Sequence, residues 1–357
     1  MKQSLAGIDD LVRRTNENMT RKRDYVADVR HAMVTYRDGR HNLMIDDTTE
    51  PWEMSDHFTR QLGTWAKIPG NYMQYMKENR PSLLAYNLNN WMADPVHKHT
   101  RRLFRGWDRG NWRSFHSDKF NRFDHEHALE AVLPPLEELA EEKGGIKVAS
   151  SGITDSKMYL KVLFPKTEAE VVGDTVQLGL SISNSEIGMG NIIVMPLIYT
   201  LRCTNGMVLP DHGVKKRHVT SRIEGDGNVT FSAETIEADH RAMQLKLKDT
   251  VADAVNELKQ KEILDELRDA GQSNRVHNPM KAIDKTAEII NLSPSETEKA
   301  KLSFVKLGNY SKWGVVSAVT EVANTSESYD RASELEVLGG KVLKFSRKEW
   351  DSVALAA

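Results

Sequence analysis

Residues 176–212 read VQLGLSISNSEIGMGNIIVMPLIYTLRCTNGMVLPDH, and this stretch decides the fold. A strand-like run from Thr175 to Ser183 leads into a polar Asn184-Ser185-Glu186 corner, and a long apolar run follows from Asn191 to Cys203. Thr204-Asn205-Gly206 then turns the chain, because Asn-Gly readily supplies the positive backbone dihedrals of a tight turn. Immediately upstream, residues 144–165 (GGIKVASSGITDSKMYLKVLFP) alternate as two strands of a hairpin. Four or more strands in succession without long helices between them predict an antiparallel sheet. The expected class is α+β: a central antiparallel β-meander flanked by helices, with a helical C-terminal region.

On either side the pattern reads as helical. Residues 1–95 are expected to form a helical N-terminal region, in which Tyr25, Val29, Met33 and Tyr36 are spaced for one helical face and Pro69-Gly70, Arg80-Pro81 and Asp94-Pro95 end short helices. Residues 96–270 would hold the α+β core and residues 271–357 a second helical region. An amphipathic helix is expected from Asp124 to Glu142 with Asp124 as its cap, and a long helical stripe from Ala242 to Ala270. Later helices are expected over 279–291, 295–307, 313–324 and 329–338, with Ser293-Pro294-Ser295-Glu296 as a helix entry. The tail around Trp350 carries no assignable role.

The chain has 357 residues, with 49 Lys and Arg against 51 Asp and Glu, so any electrostatic surface must come from local segregation of charge. The single cysteine, Cys203, excludes an intramolecular disulfide framework and fits a reducing cytosol. The first residues lack an apolar signal region and no apolar run is long enough to span a bilayer, so the expectation is an unexported protein of a bacterial cytoplasm with no membrane partner.

Charge segregates between His97 and His127, where eight Lys or Arg face four acids and six aromatic residues are interleaved. Cations that neutralise phosphates beside rings on which bases stack are what sequence-independent binding of a single strand requires. The candidate contacts are Arg101, Arg102, Arg105, Arg109, Arg113, Lys119 and Arg122 for phosphates and Trp107 and Trp112 for bases. A second cluster, Lys215, Lys216 and Arg217, joins them if the sheet brings it alongside. The competing reading is a local core in which arginines stack on rings or pair with acids.

Other chemistry finds little footing. His97, His99, His125 and His127 near Asp124 and Glu126 offer metal donors, but a site needs three or four converging ligands. A Cys203 nucleophile with His212 or His218 competes with a buried structural thiol. Gly188-Met189-Gly190 is too short for a dinucleotide fingerprint, no phosphate-binding loop of the Walker type is present, and no cofactor is expected. Asn184, Ser185 and Glu186 read by default as a corner that satisfies its own backbone.

Asn184-Ser185-Glu186-x-Gly188 followed by Leu201-Arg202-Cys203-Thr204-Asn205-Gly206 resembles a family of phage- and plasmid-encoded proteins known only as a domain of unknown function. Residues 115–120, 152–164 and 313–321 agree, so the likeness runs from about residue 100 to 325; Phe120 stands where members typically have Tyr. The resemblance implies no specific activity, although its order of elements looks like the core of phage single-strand annealing proteins, the Red-beta, RecT and Erf group. The expected function is a single-stranded DNA binding or annealing accessory of recombination or replication, homo-oligomeric, with phage or host replication proteins as further partners. The alternative is a protein-interaction or structural factor of a mobile element acting on host machinery. A metal-dependent nuclease around Asp124, Glu126 and His127 ranks behind both.

Overall fold

The computed structural model describes residues 6–46, 50–97, 100–142, 144–201, 205–210, 214–216, 232–254 and 256–356. The fold is α+β, with an antiparallel meander and a helical C-terminal region as expected, but the described residues form two sheets. The additional one is built from residues read above as helical or as a basic arm.

After helix α1 (Ala6–Arg21), the N-terminal part forms β1 (Lys22–Asp28), β2 (Ala32–Arg37), β3 (Arg40–Ile45) and β4 (Trp52–Met54). Helices α2 (Asp56–Trp65), α3 (Gly70–Asn79) and α4 (Pro81–Ala93) follow, then strands β5 (Arg101–Trp107) and β6 (Asn111–Ser117). The expected helical face of Tyr25, Val29, Met33 and Tyr36 is therefore corrected to two strands separated by a three-residue 3-10 turn. Asp38 and Gly39, with φ of 53° and 78°, close a hairpin between β2 and β3, and the flanking residues alternate buried and exposed, the two-residue period of a sheet.

The strand order is β1-β5-β6-β4-β3-β2, and all neighbours are antiparallel except β4 and β6. Laid flat, five spacings would hold β1 and β2 about 24 Å apart. Yet only Val29–His31 joins them, a link that reaches about 14 Å when extended. The sheet must curl. Counting β1 and β2 as one bent strand gives five strands in the order 1-2-3-5-4-1, with helices inserted between the third and fourth. That is the order of the partly open five-stranded Greek-key barrels called OB-folds. Trp52, Phe104, Trp112 and Phe115 fill the barrel with Phe58 and Leu62 of α2 and Leu84 and Leu88 of α4.

Helix α5 (His125–Glu142) leads to the second sheet: β7 (Lys147–Ile153), β8 (Met158–Leu163), β9 (Ala169–Val171), β10 (Asp174–Asn184), β11 (Ile192–Thr200), β12 (Asn205–Val208) and β13 (Val214–Lys216). The order β7-β8-β10-β11-β12 is the expected meander, with β9 on β10 and β13 on β11. One face packs Leu160, Val162, Leu180 and Val194 against α1, α5 and α6 (Ala233–Ala254). The stripe expected to run to residue 270 divides into α6 and α7 (Glu257–Gly271).

The C-terminal helices are α8 (Pro279–Ile290), α9 (Pro294–Leu307), α10 (Lys312–Ala323), α11 (Tyr329–Leu343) and α12 (Arg347–Ala354). Ser293 and Glu296 form a reciprocal capping box on α9. Nearly all of α10 is buried, and Trp313 Nε1 donates to Asp174 Oδ2 at 2.9 Å, pinning the bundle to the start of β10. Trp350, unassigned from sequence, is buried in the bundle core. Among the described residues no helix is long and apolar enough to cross a membrane.

Candidate nucleic-acid interface

Most of the basic segment lies on β5 and β6, and the burial of that hairpin decides which cations can meet a ligand. Arg105, 3% exposed, forks onto Asp124 through Nη1–Oδ1 at 2.7 Å and Nη2–Oδ2 at 2.6 Å. It also donates to the Glu186 carbonyl at 2.7 Å and, through Nε, to Asp24 at 2.9 Å. Arg113 sits at a register shift between β5 and β6, which leaves it on the same side as Arg105, where its Nη1 meets Glu186 Oε2 at 2.9 Å. Lys22 Nζ completes the cluster at 2.6 Å from Glu186, 2.7 Å from Glu126 and 3.2 Å from Asp124.

Arg105 and Arg113 are thus removed from the candidate phosphate contacts. Both are consumed by carboxylates at the joint between barrel and second sheet. Trp112 is removed too: it is fully buried, donates from Nε1 to the Leu43 carbonyl at 2.7 Å, and packs 4.6 Å from Trp52. A ring inside the barrel core stacks on no base.

The Asn184-Ser185-Glu186 corner makes the joint. Asn184 Nδ2 donates to the Phe123 carbonyl at 3.1 Å, and Ser185 Oγ donates to the Ser156 carbonyl at 2.9 Å while accepting from Met189 N–H. The corner satisfies some of its own backbone, as expected, but it also grips α5 and the barrel. Glu186 Oε1 accepts the first-turn N–H of His125, so this carboxylate caps α5 while the expected cap, Asp124, is held by Arg105 and Lys22. Gly188, at φ 74°, lies where a Cβ would stand 2.7 Å from His116 Cε1.

Electrostatics keep the cluster charged despite burial. Burial alone would raise the Glu186 carboxyl; the charges of Lys22 and Arg113, joined by His125 only where its ring is protonated, outweigh it and hold it well below the usual carboxylate range. Asp124 is lowered in the same way, burial being overcome mainly by Arg105. Lys22 is raised, because Asp124, Glu186 and Glu126 overcome the opposing effect of burial. His125 is depressed to about 4 by burial, which the nearby carboxylates only partly offset, so its ring stays neutral.

Asp124, Glu126 and Glu186 place carboxylate oxygens within 4.8 Å of one another, a donor set for a hard cation. The Lys22 ammonium already takes the central position, and Arg105 and Arg113 balance two of the acids. His127, the other residue of the nuclease reading, accepts the Asp124 N–H at 3.3 Å through Nδ1 and packs its ring against Phe123 and His240. The arrangement is an ion-pair joint.

The remaining cations lie elsewhere. Arg101 is exposed at the start of β5, and Arg102 is half-buried over the Trp65 and Phe115 rings at 5.6 and 5.7 Å. Lys119 and Arg122 are exposed in the connection to α5, Arg122 with Asp24 at 3.6 Å. Lys215 and Lys216 pair with Ile193 and Ile192 on the second sheet; their side chains, like Arg217, Cys203, His99, His212 and His218, lie outside the described residues. The structure does gather Trp107 and Arg109 at the tip of the β5–β6 hairpin, with Arg21 and Arg23 beside them. Trp107 rests 4.0 Å from the Arg113 guanidinium carbon and 5.6 Å from that of Arg21, and Arg23 pairs with Asp108.

A surface unnoticed in the sequence adjoins this tip. Along the outer side of β2, β3 and β4 run Met33, Thr35 and Arg37, then Arg40, Asn42 and Met44, then Glu53, facing one another as Met33↔Met44, Thr35↔Asn42 and Asn42↔Glu53. Met33 is 47% exposed, and Arg37 and Arg40 stand at the β2–β3 turn. Glu53, ion-paired to Arg40 at 2.7 Å, is the register partner of Asn111 on β6, two residues beyond Arg109. The two hairpin tips therefore lie toward opposite ends of β4, Arg109 before its first residue and Arg40 beyond its last, and bracket this face. The signal available in the sequence was Asp38-Gly39 between two alternating runs. Compared with family models, curated proteins and solved structures, the chain matches none.

Proposed function

We propose that this protein binds single-stranded DNA on the outer face of β2, β3 and β4, as an accessory of recombination or replication in a phage or mobile element. One observation carries the reading: a barrel with the strand order of OB-folds leaves that face open between two hairpin tips bearing Arg37, Arg40, Arg109 and Trp107. OB-type barrels bind oligonucleotides across the equivalent face and loops. The arginines neutralise phosphates, Trp107 offers a ring at the groove's end, and Met33 and Met44 supply an uncharged floor for bases.

The test is anisotropy of a labelled oligothymidylate at several salt concentrations. Combined Arg37→Ala, Arg40→Ala and Arg109→Ala is expected to weaken binding at least tenfold and to flatten the salt dependence by about 2 units of log–log slope. Absence of binding at low salt, or a triple variant that binds like the parent, rejects the proposal.

A further inference from the structure

The backbone of Trp107, the ring offered to a base, is set by its hairpin turn. The Gly110 N–H donates to the Trp107 carbonyl at 3.0 Å, the Asp108 N–H donates to the Arg21 carbonyl at 2.7 Å, and Arg109 takes a φ of 50°. A turn fixes a backbone and leaves the side chain its rotamers. What restrains this ring is the guanidinium of Arg113, whose central carbon lies 4.0 Å from the ring centroid, well inside the range of a cation–π contact.

Arg113 is itself held in place. It is 7% exposed, and the second sheet takes both of its terminal nitrogens: Nη1 donates to Glu186 Oε2 at 2.9 Å, and Nη2 donates to the Asp155 carbonyl, in the β7–β8 turn, at 3.4 Å. Ser185 ties those same two places together through the Ser156 carbonyl at 2.9 Å. Two acceptors fix the plane of a guanidinium, and a plane so fixed presents one flat face to Trp107. Arg21, the other cation near the ring, is exposed and 5.6 Å away, so it can yield to a ligand where Arg113 cannot. A ring ordered before a base arrives loses less freedom on stacking than a mobile one. We propose that Arg113 is a positioning residue that holds Trp107 in the orientation that stacks on a base, so that the Glu186 corner of the second sheet governs the oligonucleotide site. The inference rests on the reading of the β2–β3–β4 face and its hairpin tips as that site.

Arg113→Lys separates holding from charge, because an ammonium still pairs with Glu186 but has no flat face to offer the ring. With fluorotryptophan at the seven tryptophans, the Trp107 resonance is the one that Trp107→Phe removes. In the parent without DNA that resonance is expected to report one ring position, and Arg113→Lys is expected to shift it. Anisotropy with labelled oligothymidylate should show affinity about fivefold weaker in Arg113→Lys, with no further loss when the same change is made in Trp107→Ala. A parent resonance averaged over several ring positions, or one unmoved by Arg113→Lys, overturns the proposal. So does an affinity loss of equal size in both backgrounds, which would make Arg113 only a brace of the joint. The parent's own spectrum needs no Arg113 variant, so a misfolded Arg113→Lys leaves that test in force. A parent that binds no oligonucleotide rejects the proposed function and this inference together, whereas either preceding failure in a parent that does bind rejects the inference alone.

Discussion

Glu186 is the residue on which the two halves of the molecule meet. Its side chain takes Lys22 from β1 and Arg113 from β6, caps α5 through the His125 N–H, and its carbonyl takes Arg105 from β5. Removing one member of a buried ionic cluster leaves its partners desolvated and uncompensated. Glu186→Gln is therefore expected to cost about 3–5 kcal/mol in a urea titration, far more than removal of the exposed Asp28–Arg30 pair. His125 supplies a pH dependence. Its folded pKa of about 4 lies below the ordinary 6.5, so between those values the unfolded chain binds more protons and stability falls as pH falls from about 6.5 towards 4. His125→Gln should flatten the urea midpoint over that window, and a slope identical to the parent's would reject the assignment.

At the scale of elements, two contacts hold the barrel and bundle in place. Strand β2 is an edge of its sheet, and Asn89 of α4 closes it by accepting the Val34 N–H at 2.8 Å and donating to the Val34 carbonyl at 2.9 Å, as another strand would. Asn89→Leu leaves both backbone groups without partners in a half-buried site. A loss of about 1–3 kcal/mol is expected, with faster amide exchange at Val34 than at Leu43. In the bundle, Gly339 and Gly340 sit inside α11 at the cost of helix propensity, because any Cβ there would collide with Thr320 on α10 and the Val208 carbonyl of β12. Gly339 thus lets α11 lie close against α10, and Gly340 lets it lie directly on the second sheet.

For the whole molecule, charge is used in two ways that salt separates. The joint of Lys22, Arg105, Arg113, Asp124 and Glu186 is buried, where ions screen little, whereas Arg37, Arg40 and Arg109 face solvent. Raising salt from about 0.05 to about 0.5 M is expected to leave the thermal midpoint nearly unchanged while weakening oligonucleotide binding by orders of magnitude. A midpoint that collapses over that range would show that the joint is open to water.

By itself the sequence determined the second sheet, the capping box at Ser293, α5 and most of the C-terminal helices, because alternation, Asn-Gly turns and cap residues are local signals. Residues 22–54 misled: curling of the sheet packs Tyr25 and Tyr36, partly buried, against the barrel core, and their spacing mimicked a helical face. The basic segment was read correctly as rich in cations, and its Trp107 and Arg109 did emerge at a surface. Only the tertiary structure decided that Arg105 and Arg113 point at Asp124 and Glu186, residues 19 and 73 positions away. The reason is physical: the composition of a segment states how many charges it carries, but whether each meets water, a phosphate or a buried carboxylate depends on elements distant in the chain.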